Sequence, residues 1–301
     1  MKILFCSDGT SKSERAIRFG ARIAVACRAE PSILGIVEKP GDEEALREAL
    51  QNSREIFTRG RLEARLIIDV GRPVKEIVKH CHQTPYDLVV VGAAPSSNFW
   101  RLLDPLWMGG RVYKILESVK IPILVVIGDP PALRRILLCS GGGAYIDTAI
   151  KFAGHIAQCL KAKVDLFHVL PETPGMYAEL SQLESDVERL LESNSNLGRN
   201  LRRQQMLLEQ FGVFGEIRLR QGEVVPELLQ ELHRHNYDLV VTGSSPAEDI
   251  FSRYLMSDVV QEIVNRAMRP VLVVRTKQRL LRRFFNEVRS RLFGNAKQTL
   301  R

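Results

Sequence analysis

The residue types in this chain that could do chemistry are glycines set just after apolar runs, isolated aspartates, six histidines and five cysteines. His80-Cys81-His82 has the composition of a metal cluster, yet consecutive helical residues point about 100° apart, so the three cannot share one ion. His82 and His233 hold equivalent places ahead of two buried strands, where packing or surface roles are expected. The cysteines, at 6, 27, 81, 139 and 159, form no CxxC pair, and Cys6 and Cys139 sit inside apolar runs. They are expected to be small buried hydrophobes in a reducing compartment, with no metal site. No Ser/His/Asp arrangement, nucleophile elbow or P-loop lysine occurs, so no catalytic constellation is found and no enzyme activity is expected. What remains is binding by backbone groups. The stretch DLVVVGAAP, Asp87 to Pro95, occurs again as DLVVTGSSP, Asp238 to Pro246. Four β-favouring apolar residues closed by a glycine predict a strand buried on both faces of a parallel sheet. Ligands of such sheets lie beyond the strands' C-terminal ends, which points to the chain just after Gly92 and Gly243.

The elements that position these glycines repeat in order. Lys2 to Ser7 reads as a strand, followed by Asp8-Gly9-Thr10 and a helix whose Ser11 and Glu14 have the spacing of a capping box. Further strands are predicted at Ser32 to Glu38, Ala64 to Val70, Leu88 to Val91 and Ile121 to Ile127, with helices between them. Arg135 to Ser140 then restates Lys2 to Ser7. Gly222, Tyr237 and Asp238 restate Gly71, Tyr86 and Asp87, and Pro270 to Val274 restates Pro122 to Val126. A tandem duplication follows. Its units span 1–129 and 134–276, joined at Asp129-Pro130-Pro131, with a tail over 277–301. The fold class is α/β: two doubly wound domains, each a parallel sheet with right-handed crossovers and helices on both faces.

Charge narrows the partners. The chain carries +8, but eight Lys/Arg against one acid place +7 of it in residues 277–301, and the remaining 35 bases and 34 acids nearly cancel. Specific nucleic-acid binding by the folded body is therefore not expected. No secretory leader is recognisable, and no apolar run approaches the roughly 20 residues of a membrane span. A cytoplasmic location, or one peripheral to a membrane, is expected.

At this point the chain resembles a known family. DGTSKSERAIRFGARIA after the first strand, GRP at 71, DLVVVG, and a Gly-Gly helix start leading to PILVV are similar to the universal stress protein family in its two-domain form, over residues 1 to 276. The resemblance implies a five-stranded sheet per domain in the order 3-2-1-4-5, with the two domains paired through their last strands. ATP-binding members hold adenosine with an Asp after the first strand and a backbone position near the end of the second. A glycine series then wraps the phosphates. Carried over, Asp8 matches the Asp, Val37 the second-strand position, and Gly92 and Gly109 the first and third glycines.

Other positions depart from that pattern. Pro95 stands where the second glycine belongs and offers no N–H, and Gly110 replaces a hydroxyl residue. The loop between them is long and carries Phe99, Trp100 and Trp107, an apolar plug or interface where phosphates need bare backbone. In the second copy Gly141 replaces the Asp and Pro246 again replaces a glycine after Gly243, while Glu248, Asp249 and Asp258 bring negative charge to the phosphate side. Gly141-Gly142-Gly143 reads as a tight turn or an anion nest.

Two further stretches stand out. Leu180, Leu183, Val187, Leu190, Asn194, Leu197 and Leu201 predict one long helix from Tyr177 to about Gln210, packed on its own sheet or projecting as a coiled-coil arm with Asn194 setting register. In the tail, Leu280, Leu281, Phe284, Phe285, Val288 and Leu292 share one arc of a helical wheel opposite Arg279, Arg282, Arg283 and Arg289. This basic amphipathic helix suits an anionic membrane surface, a protein partner's groove or the protein's own domains. Two function classes result. One is a non-catalytic regulatory or interaction protein with degenerate nucleotide sites and no cofactor. The other is a stress-response module that binds ATP or another adenine nucleotide in its first domain.

Overall fold

In the computed structural model the described residues are 1–93, 110–128, 132–143, 146–171, 187–244 and 259–275. The aromatic loop with Phe99, Trp100 and Trp107, together with Gly109, lies outside them. So do Pro95, Pro246 and the tail with Arg279, Arg282, Arg283, Phe284 and Phe285.

The first unit runs β1 (Lys2–Ser7), α1 (Ser11–Ala26), β2 (Glu30–Val37), α2 (Glu43–Arg59), β3 (Arg65–Val70), α3 (Pro73–Gln83), β4 (Leu88–Ala93), α4 (Gly110–Ser118) and β5 (Ile123–Ile127). The second runs β6 (Arg135–Cys139), α5 (Asp147–Leu160), β7 (Lys163–Leu170), α6 (Val187–Glu192), α7 (Asn196–Gln210), β8 (Phe214–Gln221), α8 (Val224–Arg234), β9 (Leu239–Ser244) and β10 (Val271–Arg275). A helix over 259–266, here α9, precedes β10. The strands form one sheet of ten in the order β3-β2-β1-β4-β5-β10-β9-β6-β7-β8. Each half has the expected order. Pairing is parallel except at the centre, where β5 meets β10 antiparallel with Leu124 opposite Leu272. The two domains thus share a sheet through their last strands.

One apolar core lies on each face of that sheet, and both run across the domain boundary. Phe5, Phe19, Phe57, Phe152 and Leu166 fill the face covered by α1, α2, α5 and α7. Ile77, Ile115, Leu228 and Ile263 from α3, α4, α8 and α9 cover the other. The strands are apolar on both sides because both sides are covered. The repeated aspartate before β4 and β9 also has a clear job: Asp87 Oδ2 accepts from Lys2 N at 2.7 Å, and Asp238 Oδ2 accepts from Arg134 N and Arg135 N at 2.7 and 3.0 Å. Each pins the neighbouring strand's start, at the sheet end opposite the crevices.

Two local expectations are corrected. Ser11 and Glu14 form no capping box: Thr10 is the N-cap and makes no side-chain cap bond, while Glu14 pairs with Arg18 at 2.8 Å. The long helix is broken as well. Among the described residues α6 ends at Glu192 and α7 restarts after Ser195, whose Oγ accepts from Gly198 N at 3.0 Å. Asn194 falls in the break, and a Cβ on Gly198 would stand 2.3 Å from Leu190 O, so glycine there permits the fold-back of α6 on α7. Leu201 and Leu208 are fully buried, worth about 2 kcal/mol each, so α7 packs on its own sheet.

Candidate functional site

The first crevice opens beyond β1 and β4. Its tight turn is built by Gly9 at φ 77°, whose N–H donates to Ser7 Oγ at 3.2 Å. Asp8, next to it, is held by three bonds on a single oxygen: Oδ1 accepts from Thr10 N at 3.1 Å, Thr10 Oγ1 at 2.6 Å and Ser13 Oγ at 2.9 Å. Partial burial alone would raise this carboxyl, but the bonds from Thr10 and Ser13 outweigh it and its pKa is lowered. Asp8 is therefore a fixed carboxylate whose second oxygen carries no bond among the described residues.

Around Asp8 lies a cleft of about 120 Å³ lined by residues that include Thr10, Lys12, Ile36, Ile77, Gly92 and Arg111. Gly92 is there for close approach: an added Cβ would stand 2.7 Å from Lys12 O, so a bare backbone is what lets the start of α1 lie on β4. Val37 is next to the cleft and not among its lining residues, Ile36 taking that place. Its carbonyl already accepts from Gly71 N at 2.9 Å. Gly110 opens α4 with none of the described residues within 4 Å of where a Cβ would go, and it lines a separate small cavity between α4 and α9. Arg111 follows it and pairs with Glu38 at 2.6 Å across the mouth. Among the described residues Lys12 and Arg111 are the cations lining the cleft, and nothing in the motif comparison pointed to either.

The second crevice is built on the same turn. Gly142 has φ 74° and donates to Ser140 Oγ at 3.1 Å, reproducing Gly9 and Ser7. This tight-turn geometry accounts for the middle glycine of the three. Gly141 stands where Asp8 stands, so no carboxylate is present there. Its mouth, however, is crossed by side chains of α7. Asn200 Nδ2 donates to Gly142 O at 2.7 Å, Gln204 Nε2 to Gly143 O at 3.3 Å, and Ser140 Oγ to Gln204 Oε1 at 2.7 Å. Gln204 is fully buried.

His168 occupies the place that Gly35 has in the first domain and completes the filling. Its Nδ1 lies 2.7 Å from Ser140 O, which only accepts, so Nδ1 carries the proton. Its Cε1 is 3.1 Å from where a Cβ on Gly142 would be. Burial lowers the His168 pKa, more than the bond to Ser140 O raises it. Gly243 is again a packing glycine, its missing Cβ position 2.4 Å from Ile146 Cδ1. Sequence reasoning missed His168, Asn200 and Gln204. The available signal was the exchange of Gly35 for a large polar residue between the copies.

Other predicted groups separate. His80 bonds Asp69 Oδ2 at 2.8 Å, a local pair between α3 and β3. All five cysteines are free thiols. No helix among the described residues is long and apolar enough to cross a membrane.

Two five-stranded doubly wound halves, joined edge to edge with a crevice at the carboxyl ends of each, define a tandem α/β protein with one topological switch point per half. The model of the universal stress protein family matches residues 1–126 and again 132–275, and the chain belongs to that family. The fold agrees. A universal stress protein from Archaeoglobus fulgidus DSM 4304 superposes with a TM-score of 0.68 at 16% identity, covering 91% of this chain and 98% of that one. A functionally unknown protein from Pseudomonas aeruginosa PAO1 superposes at 0.67 and 14% identity, covering 96% and 97%. No curated protein matches the chain.

Proposed function

We propose that this is a non-catalytic regulatory protein of its family, in which the first domain keeps a weak adenine-nucleotide cleft and the second has lost one. The observation that carries the reading is the contrast between the crevices. One is open and lined by Asp8, Lys12 and Arg111; the other is closed by Asn200, Gln204 and His168. A fixed carboxylate with one unengaged oxygen suits a ribose diol, and two cations suit phosphate. Weakness follows from two features. Arg111 must leave Glu38 to reach a phosphate, and Pro95 supplies no N–H where the family pattern has a glycine.

Absence of catalysis is supported by the titratable groups of the cleft. Asp8 is held below the usual carboxylate range, and burial pushes the Cys6 thiol well up, so neither is poised as a base near neutrality. Calorimetry with ATP, ADP and AMP on the full chain tests the reading. Asp8→Asn is expected to weaken binding about 10- to 100-fold, the value of a hydrogen bond to a charged group. Glu38→Gln is expected to tighten it by freeing Arg111. Micromolar affinity in the wild type, indifference to Asp8→Asn, or nucleotide turnover by the purified protein would refute the proposal.

A further inference from the structure

We propose that Cys27, His155 and Cys159 form a metal site for zinc or a similarly thiophilic ion, clamping the two domains together. Cys27 caps the C-terminal end of α1 in the first domain, and His155 and Cys159 lie one turn apart on α5 in the second. Helices α1 and α5 cover the same face of the shared sheet, where they pack against one another across the boundary. Their ligand atoms converge: the two sulfurs and one ring nitrogen all lie within 4.8 Å of one another, and Cys159 Sγ is 3.7 Å from His155 Nε2.

A tetrahedral zinc ion sets the scale for that spacing. With Zn–S near 2.3 Å and Zn–N near 2.0–2.1 Å, the ligands of one ion stand about 3.6 Å (S to N) and about 3.8 Å (S to S) apart. The observed separations need only side-chain adjustment to reach these values. Charge also balances. Two thiolates and a neutral imidazole offset a divalent cation, which suits a site with Cys27 buried and the other two half-buried. Loading releases the two thiol protons to solvent, and three protein ligands leave a fourth position for water. The pairing is asymmetric. The duplicate positions hold Leu160, Arg22 and Ala26, so the mirror-related location has no such set.

The test uses the tag-free full chain, reduced with a phosphine, titrated with Co²⁺ and then Zn²⁺. One equivalent of Co²⁺ is expected to give a thiolate-to-cobalt charge-transfer band with the strong visible absorption of tetrahedral coordination, and Zn²⁺ to displace it. Cys27→Ser and Cys159→Ser should each abolish the band, His155→Gln should weaken binding at least tenfold, and Cys81→Ser should leave it intact. In the zinc-loaded wild type a chelator should lower the melting temperature, and in Cys159→Ser it should not. Should a variant fail to fold, the cobalt spectrum of the wild type still decides. A spectrum without a thiolate band overturns the proposal, as does unchanged stoichiometry in the folded cysteine variants. So does conversion of Cys27 and Cys159 to a disulfide with no metal uptake by the reduced protein.

Discussion

Replacing Gln204 with Ala perturbs the filled crevice at its centre. The fully buried amide accepts from Ser140 Oγ at 2.7 Å and donates to Gly143 O at 3.3 Å. Each bond contributes about 1 kcal/mol net, and the longer one less. Deletion also leaves the Ser140 hydroxyl hydrogen and the Gly143 carbonyl without these partners, a further cost of about 1–3 kcal/mol unless water enters. Since the crevice mouth is polar and at the surface, entering water should recover part of that. The expected destabilisation is about 2–3 kcal/mol, or a drop of roughly 4–12 °C for a domain of this size. Urea denaturation of wild type and Gln204→Ala measures it, with Gln205→Ala, a half-buried neighbour whose side chain donates to Glu209 at 2.8 Å, as the control. A loss under about 0.5 kcal/mol, or one equal to that of the control, would show that the side chains of α7 do not hold the second crevice shut.

Three other perturbations have definite expected outcomes. Gly92→Ala places a Cβ 2.7 Å from Lys12 O and should cost about 1–3 kcal/mol in chemical denaturation, whereas Gly110→Ala, with no described residue within 4 Å of its Cβ position, should cost nothing measurable. His168 is lowered chiefly by burial, so the unfolded chain binds its proton more readily. Stability is then complete above the unfolded value of about 6.5, declines as pH falls below it, and this decline should flatten in His168→Gln, as read by melting temperature against pH. Deleting residues 277–301, which carry a net +7, should abolish sedimentation with anionic liposomes at low salt; unchanged sedimentation would reject the membrane reading of the tail.

Most of the fold was legible because its signals are local and doubled. Runs such as LVVV at 88–91 and LVVT at 239–242 read as strands covered on both faces, and the repeated aspartate before them recurs because it ties down the adjacent strand's start. The candidate site was legible where it depends on backbone, as at Gly9, Gly92 and Gly142. It was not legible where it depends on side chains delivered from distant elements. Arg111 reaches the first cleft from α4, and Asn200 and Gln204 reach the second from α7. The break at Ser193–Ser195 was hidden because leucines on either side keep helical spacing, while the cap that restarts the helix rests on one serine and on Gly198. Cys27, His155 and Cys159 share no spacing motif, since they meet only when the two domains pair.

The central claim, an open crevice in the first domain and a closed one in the second, is tested most directly by photolabelling the full chain with an azido-adenine nucleotide and mapping the labelled peptides. Label confined to residues 1–126, and lost in Asp8→Asn, is the expected result. Label within 132–275, or label in the first domain that ignores Asp8→Asn, would contradict it.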